Sequence, residues 1–313
     1  MRSLAESRQA FAALELAVHR RLAGQLSGAH QGIGLGPGTE PEEVARYRPG
    51  EDDVRRIDWN VTARTGETHV WRTRAEHEVD TWVLVDETAS MDFGTVDVEK
   101  GDLAAWVTGA VGLLSDAPGN RMGVLHLTGD GVEWSPALSP RRAAVRAMST
   151  TGRKERSGSG TPGGSRPSLT EALSALDARH RRHGIRVVVS DFVEPDGAVE
   201  RPFAWERALR RLSARHDVLV VEVVDPRELA LPDVGPVVLV DPETGHRCEV
   251  WTSSPKIRAQ YAELAAAHRT AVAAAVRASG AEHVVLRTDR DWVLDLARFV
   301  RGRRRPRSRR GPR

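Results

Sequence analysis

The chain has 313 residues, 40% of them hydrophobic and 28% charged, the make-up of a globular protein with room for one large domain or two ordinary ones. Its formal net charge of +3 misleads: residues 301–313 hold eight arginines and no acid, and without them 38 basic residues face 43 acidic ones, leaving the body at −5. No apolar run nears the ~20 residues that span a bilayer, no signal-peptide pattern opens the chain, and a single cysteine, Cys248, excludes an internal disulfide and points to a reducing, cytoplasmic setting.

Along the chain, Leu4, Phe11, Leu14, Val18 and Leu22 recur at helical spacing within residues 3–26. Gly28–Gly38 is too rich in glycine for a regular element, and with no Lys-Ser/Thr after the glycines it is not a phosphate loop. A polar segment, Glu40–Asn60, precedes strands expected at Thr68–Trp71 and Glu78–Asp86. From there strands and helices alternate. Helices are expected at Leu103–Leu114, Arg141–Met148, Leu169–His180, Trp205–Ala214, Lys256–Ser279 and Trp292–Val300. Strands are expected at Arg121–Leu127, Val132–Trp134, Ile185–Ser190, Asp217–Val224 and His283–Arg287, with a hairpin of Val237–Val240 and Cys248–Trp251 in which Cys248 reads as a small half-buried residue. Several strands are apolar on both faces, as strands covered by helices on both sides must be. The fold class is therefore α/β, a mostly parallel Rossmann-type sheet with helices on both faces. The chain divides into an N-terminal segment (residues 1–66), the α/β domain (67–300) and an arginine-rich tail (301–313) with too few apolar residues to fold alone.

In open α/β sheets functional groups gather at the carboxyl ends of the strands. Asp86 ends one buried strand and is followed by Thr88 and Ser90, giving one carboxylate and two hydroxyls at alternating positions. Oxygen-only ligation of low charge suits a hard divalent cation such as Mg²⁺ or Mn²⁺. Asp191 ends a second buried strand and is a candidate for a further carboxylate of the same site. The competing reading makes Thr88 and Ser90 helix caps and gives Asp86 backbone amides to accept from.

The string Arg46-Tyr47-Arg48-Pro49-Gly50-Glu51-Asp52-Asp53-Val54-Arg55-Arg56-Ile57-Asp58-Trp59, followed by Thr62-Ala63-Arg64-Thr65-Gly66, Glu76 and Asp86–Met91, resembles the bacterial "domain of unknown function 58" family over about residues 30–225. The resemblance implies a von Willebrand factor A (vWA)-like fold, no established catalytic activity and frequent operation beside a MoxR-type AAA+ ATPase. Many members carry N-terminal membrane helices; the sequence shows no such run, so it looks like a soluble short form of the family. Two departures stand out. Thr88 replaces the first serine of the family's Asp-x-Ser-x-Ser loop, and Pro167 falls where a threonine of the third metal-site element belongs; Ser168, Ser165 and Thr161 are the nearby substitutes. Within the signature segment, Arg55, Asp58, Trp59, Arg64 and Glu76 read either as an ion-pair network fastening the segment to the sheet or as a partner-docking surface.

No metalloprotease helix, nucleophile elbow or Cys-x-x-Cys occurs. His180 and His183 are spaced to share a helix face, at a solvated helix end. The leading functional reading is a non-enzymatic vWA-like interaction protein. The alternatives are a metal-dependent phosphoryl hydrolase built on the same carboxylates, against which no lysine or arginine lies within the Asp86 loop, and nucleic-acid binding through the Arg301–Arg313 tail.

Overall fold

Uninterrupted runs of Val, Leu and Ile place the central strands, and the structure gathers them into one sheet. The computed structural model describes Glu15 and residues 43–48, 54, 57–72, 79–95, 98–117, 119–150, 168–194, 197–240 and 247–302. In chain order the elements are β1 (Glu43–Arg46), α1 (Trp59–Thr65), β2 (His69–Arg72), β3 (Asp80–Glu87), a 3₁₀ turn (Ala89–Asp92), α2 (Lys100–Leu114), β4 (Arg121–Thr128), β5 (Gly131–Leu138), α3 (Pro140–Thr150), α4 (Leu169–Arg179), β6 (Ile185–Ser190), α5 (Glu206–Arg215), β7 (Asp217–Val224), α6 (Pro226–Leu229), β8 (Pro236–Val240), β9 (Arg247–Trp251), α7 (Pro255–Ser279), β10 (Glu282–Arg287) and α8 (Trp292–Gly302). None of the helices described is long and apolar enough to cross a membrane.

The main sheet has the order β10-β7-β6-β3-β4-β5, parallel throughout except for the antiparallel β4–β5 pair. Counting these six strands along the chain gives the order 3-2-1-4-5-6, the doubly wound arrangement. The expected α/β, vWA-like sheet is thus the one observed. Its switch point lies between β3 and β6, the place where open α/β sheets bind ligands beyond the carboxyl ends of the strands. Helices α2, α3 and α8 bury one face of the sheet around Val83, Val85, Val187 and Val221. Helices α4, α5 and α7 bury the other around Leu84, Leu125, Val188 and Trp205.

One local fit fixes the amino end of β3. Trp82 lies opposite Gly123 of β4 in register, and a β-carbon at Gly123 would stand 2.3–2.6 Å from the Trp82 ring. His180 stacks on that ring with centroids 3.8 Å apart, and Trp134 meets it edge-on at 5.3 Å. This corrects the expectation for the histidines. Helix α4 ends at Arg179, so His180 is its C-cap and packs against tryptophan rather than sharing a helix face with His183.

Outside the main sheet, β1 and β2 pair antiparallel, and Ile57 bridges to Val70. The division expected after residue 66 runs through this small unit. The expected N-terminal helix lies outside the described residues apart from Glu15, which is helical and receives both guanidinium nitrogens of Arg141 at 2.6 Å. The glycine-rich segment 28–38, the loop 157–167 and residues 303–313 of the tail also lie outside them. The hairpin forms as expected, but Cys248 is exposed rather than half-buried, because β8 and β9 make a two-stranded sheet of their own.

Candidate functional site

Strand β3 delivers Asp86 to the switch point, 3% exposed. Its Oδ1 accepts from the Thr88 backbone N–H at 3.0 Å and from the Thr88 hydroxyl at 2.6 Å. Its Oδ2 accepts from the Ser190 hydroxyl at 2.6 Å. Thr88 Oγ1 and Ser90 Oγ lie 3.2 Å apart, and the Ser90 hydroxyl also bonds Asp191. The four residues Asp86, Thr88, Ser90 and Asp191 therefore converge on one buried cluster. The capping alternative fails for Thr88, whose side chain caps nothing at the 3₁₀ turn; Asp86 does take a backbone amide.

Strand β6 delivers Asp191, which is fully buried. The chain turns at once through Phe192, whose φ of +59° is left-handed. That conformation is costly for a residue with a side chain, and it is held by burial of the ring edge-on against Trp205 at 5.1 Å. The turn lets Val193 N–H reach back to Asp191 Oδ1 at 3.0 Å. Asp191 Oδ2 accepts from Lys100 Nζ at 2.7 Å, and the same ammonium contacts Glu228 Oε1. From α7, Arg269 donates to the Asp191 carbonyl at 2.9 Å and to the buried Glu222 carboxylate at 2.7 Å.

The two aspartates titrate in opposite directions. Burial, then the charge of Asp191, pushes Asp86 up to about 6 despite its hydroxyl partners. Burial would raise Asp191 as well, but the Lys100 ammonium outweighs it and holds Asp191 below the usual carboxylate range. Lys100 spends its charge on Asp191 and Glu228, and Asp86 has no cation of its own in the described cluster. Counted as ionised, the carboxylates of Asp86, Asp191 and Glu228 exceed the single ammonium by two charges, the charge of one divalent ion.

The donor set fits such an ion. Oxygen ligands at about 2.0–2.1 Å in octahedral array stand roughly 3 Å apart, and Thr88 Oγ1 lies 2.6 Å from Asp86 Oδ1 and 3.2 Å from Ser90 Oγ. Among the described residues no group of three or more His, Cys, Asp or Glu side chains forms a conventional metal cage, so hydroxyls would make up much of the ligation. Ser168 does not complete it: its side chain caps α4, accepting from Glu171 N–H at 3.3 Å in a reciprocal box. Pro167, Ser165 and Thr161 lie outside the described residues.

In the signature segment, Asp58 caps α1, accepting from the Asn60 and Val61 amides at 2.8 and 3.1 Å. Trp59 is 70% exposed and Arg64 is exposed in the last turn. Arg55 and Glu76 lie outside the described residues. The structure thus gives Asp58 to a helix cap, and it leaves Trp59 facing solvent rather than docked on the sheet.

Sequence reasoning missed Ser190, Lys100 and Glu228. Ser190 was legible: parallel pairing aligns Val85 with Val189, so the next residues, Asp86 and Ser190, must be neighbours. Glu228 carries a local sign, the Asp225-x-x-Glu228 capping box with Pro226 at the first helical position. Nothing in the sequence brings Lys100 to Asp191, 91 residues away.

The chain matches the family described as "Protein of unknown function DUF58" over residues 43–271. It is 44% identical over 292 residues to an uncharacterized protein of Mycobacterium bovis, covering 93% of this chain and 88% of that one. Among solved structures, the conserved hypothetical protein BatB from Bacteroides thetaiotaomicron aligns at a TM-score of 0.41 and 12% identity over 71% of this chain and 97% of that one. The SpRpn10 VWA domain aligns at 0.35 and 11% identity over 70% and 93%. A family match spanning 229 of the 313 residues, with a relative of this identity along nearly the whole length, establishes that the chain belongs to the DUF58 family of proteins of unknown function.

Proposed function

We propose that this protein is a non-enzymatic interaction module that presents the carboxyl edge of its sheet to a partner protein in the cytoplasm, through a divalent cation, Mg²⁺ or Mn²⁺, held by Asp86, Thr88, Ser90 and Asp191. The observation that carries this reading is Asp86, a buried carboxylate at the sheet's switch point, ringed by hydroxyls and lacking its own counter-charge in the described cluster. The cation supplies a fixed positive charge that an acidic side chain of a partner can meet. Phe93 and Val193, in the two loops that carry the ligands, are 41% and 39% exposed, an apolar flank suited to protein contact. The family resemblance supplies the partner in the proposal, a MoxR-type AAA+ ATPase. The hydrolase reading draws no support from the geometry, because the cluster's ammonium is buried and bound to Asp191 and Glu228 rather than free for phosphate.

The test is capture of the purified ATPase by the full-length protein. Capture is expected in Mg²⁺, to be lost in EDTA, and to be lost in Asp86→Ala. Undiminished capture by Asp86→Ala removes the cation-bridged reading.

A further inference from the structure

The β8–β9 hairpin, like the β1–β2 pair, stands outside the six-stranded sheet. Among the described residues no third strand pairs with it. Val238, Val240 and Trp251 are 59%, 51% and 61% exposed, and Leu239 is 37% exposed. Its foot is fastened firmly: buried Thr252 donates from N–H and hydroxyl to the Gly235 carbonyl at 2.9 and 2.7 Å, and its hydroxyl accepts from Val234 N–H at 3.1 Å. The ribbon itself stands away from the core with apolar side chains in water. A two-stranded ribbon of this kind is marginal alone, and its open edges are templates for a strand of another chain.

We propose that the hairpin is a self-association surface occupied by the same hairpin of a second copy, joined by antiparallel pairing of β9 with β9 about a two-fold axis at Cys248. The charge order Arg247-Cys248-Glu249 selects this register. Centred on Cys248, the pairing sets Arg247 opposite Glu249 of the other copy, twice, and opposite charges directly across a pair are favourable. Centred one residue to either side, it sets arginine against arginine or glutamate against glutamate. The two-fold makes the contact self-complementary and closed. In the hairpin register Val237 faces Val250 and Leu239 faces Cys248, so these four share one face of the ribbon, while Val238, Val240 and Trp251 lie on the other with Arg247 and Glu249. This proposal does not rest on the cation reading.

The chain's single cysteine reports on the geometry. Directly opposed residues of an antiparallel pair have α-carbons about 4.5–5.5 Å apart, within the reach of a disulfide. Diamide would then join two Cys248 thiols, taking up the two electrons and two protons they lose. Sedimentation of the full-length reduced protein over a concentration series is expected to show a monomer–dimer equilibrium. Glu249→Arg weakens it by about tenfold or more, and the exchanged pair Arg247→Glu with Glu249→Arg restores it. Cys248→Ser still dimerises but gives no diamide-linked band. Because these side chains are exposed, unchanged circular dichroism and melting temperature are expected for every variant. A protein monomeric at all concentrations overturns the proposal, as does a dimer indifferent to both charge variants and not crosslinked at Cys248. A monomer that loses capture of a different protein on Glu249→Arg also overturns it, by giving the hairpin another occupant.

Discussion

Lys100 shows how one residue can reset the chemistry of a site. A lysine with a side chain 1% exposed survives burial because two carboxylates bind it; burial would lower its pKa, but Asp191 and Glu228 reverse the sign and raise it. Removing one partner of a buried pair leaves the other's charge stranded. Lys100→Met is therefore expected to cost about 3–5 kcal/mol in urea unfolding; if the proposed cation site exists, Mg²⁺ recovers part of the loss by supplying positive charge. A loss within the scatter of ordinary surface substitutions would show that the ammonium does not hold the cluster. Asp86 and Asp191 were legible because a carboxylate at the end of a doubly apolar strand is conspicuous. Lys100 was not, because its partners lie on strands and helices that meet only after folding. Ser168 illustrates the opposite hazard: a hydroxyl near the expected third ligand is claimed by its own helix.

At the scale of elements, legibility followed the number of neighbours an element needs. Strands β6 and β7 were read to the residue because apolarity on both faces can mean little else. Strand β1 and the first two residues of α1 fell in a stretch read only as a polar segment, Glu40–Asn60, and the rest of α1 was assigned no element. Each is short, and each is stabilised by something no local pattern reveals: β1 by its pairing with β2, α1 by the Asp58 cap and the left-handed Gly66 that ends it. The hairpin was read correctly as strands, but a run of valines cannot say whether it faces a core or solvent. The pairing of β3 with β4 makes its own prediction. Gly123→Ala drives a methyl group into the Trp82 ring, and overpacking of this kind costs about 1–3 kcal/mol. In a Trp82→Leu background the same alanine is expected to be nearly neutral, a coupling measurable by a double-mutant cycle. Equal cost in both backgrounds would place the strain elsewhere.

For the whole molecule, acid stability turns on groups kept neutral inside the fold. His216 is 4% exposed, and among the described residues neither ring nitrogen has a hydrogen-bond partner. Burial first, then the charge of Arg186, pushes its pKa down to about 4, against about 6.5 in the unfolded chain. Between these values the unfolded state binds more protons, so stability falls as pH drops from about 6.5 towards 4. The loss attributable to this group is of order 2–3 kcal/mol, and His216→Leu is expected to flatten that part of the stability–pH curve. An unchanged slope would mean that other groups carry it. Whole-chain charge is a poorer guide. The positive total comes from the terminal arginines, whereas residues 1–300 are acidic on balance.

Strand β5 closes one end of the main sheet and carries Pro136 where the register with β4 shifts between Met122 and Val124. A proline has no N–H to donate, and a bulge breaks the repeat an incoming strand would copy. That edge is therefore a poor template for another chain. The two-fold β9 contact closes on itself, so assembly through that contact ends at a pair, and raising the protein concentration should saturate the sedimenting mass instead of increasing it without limit.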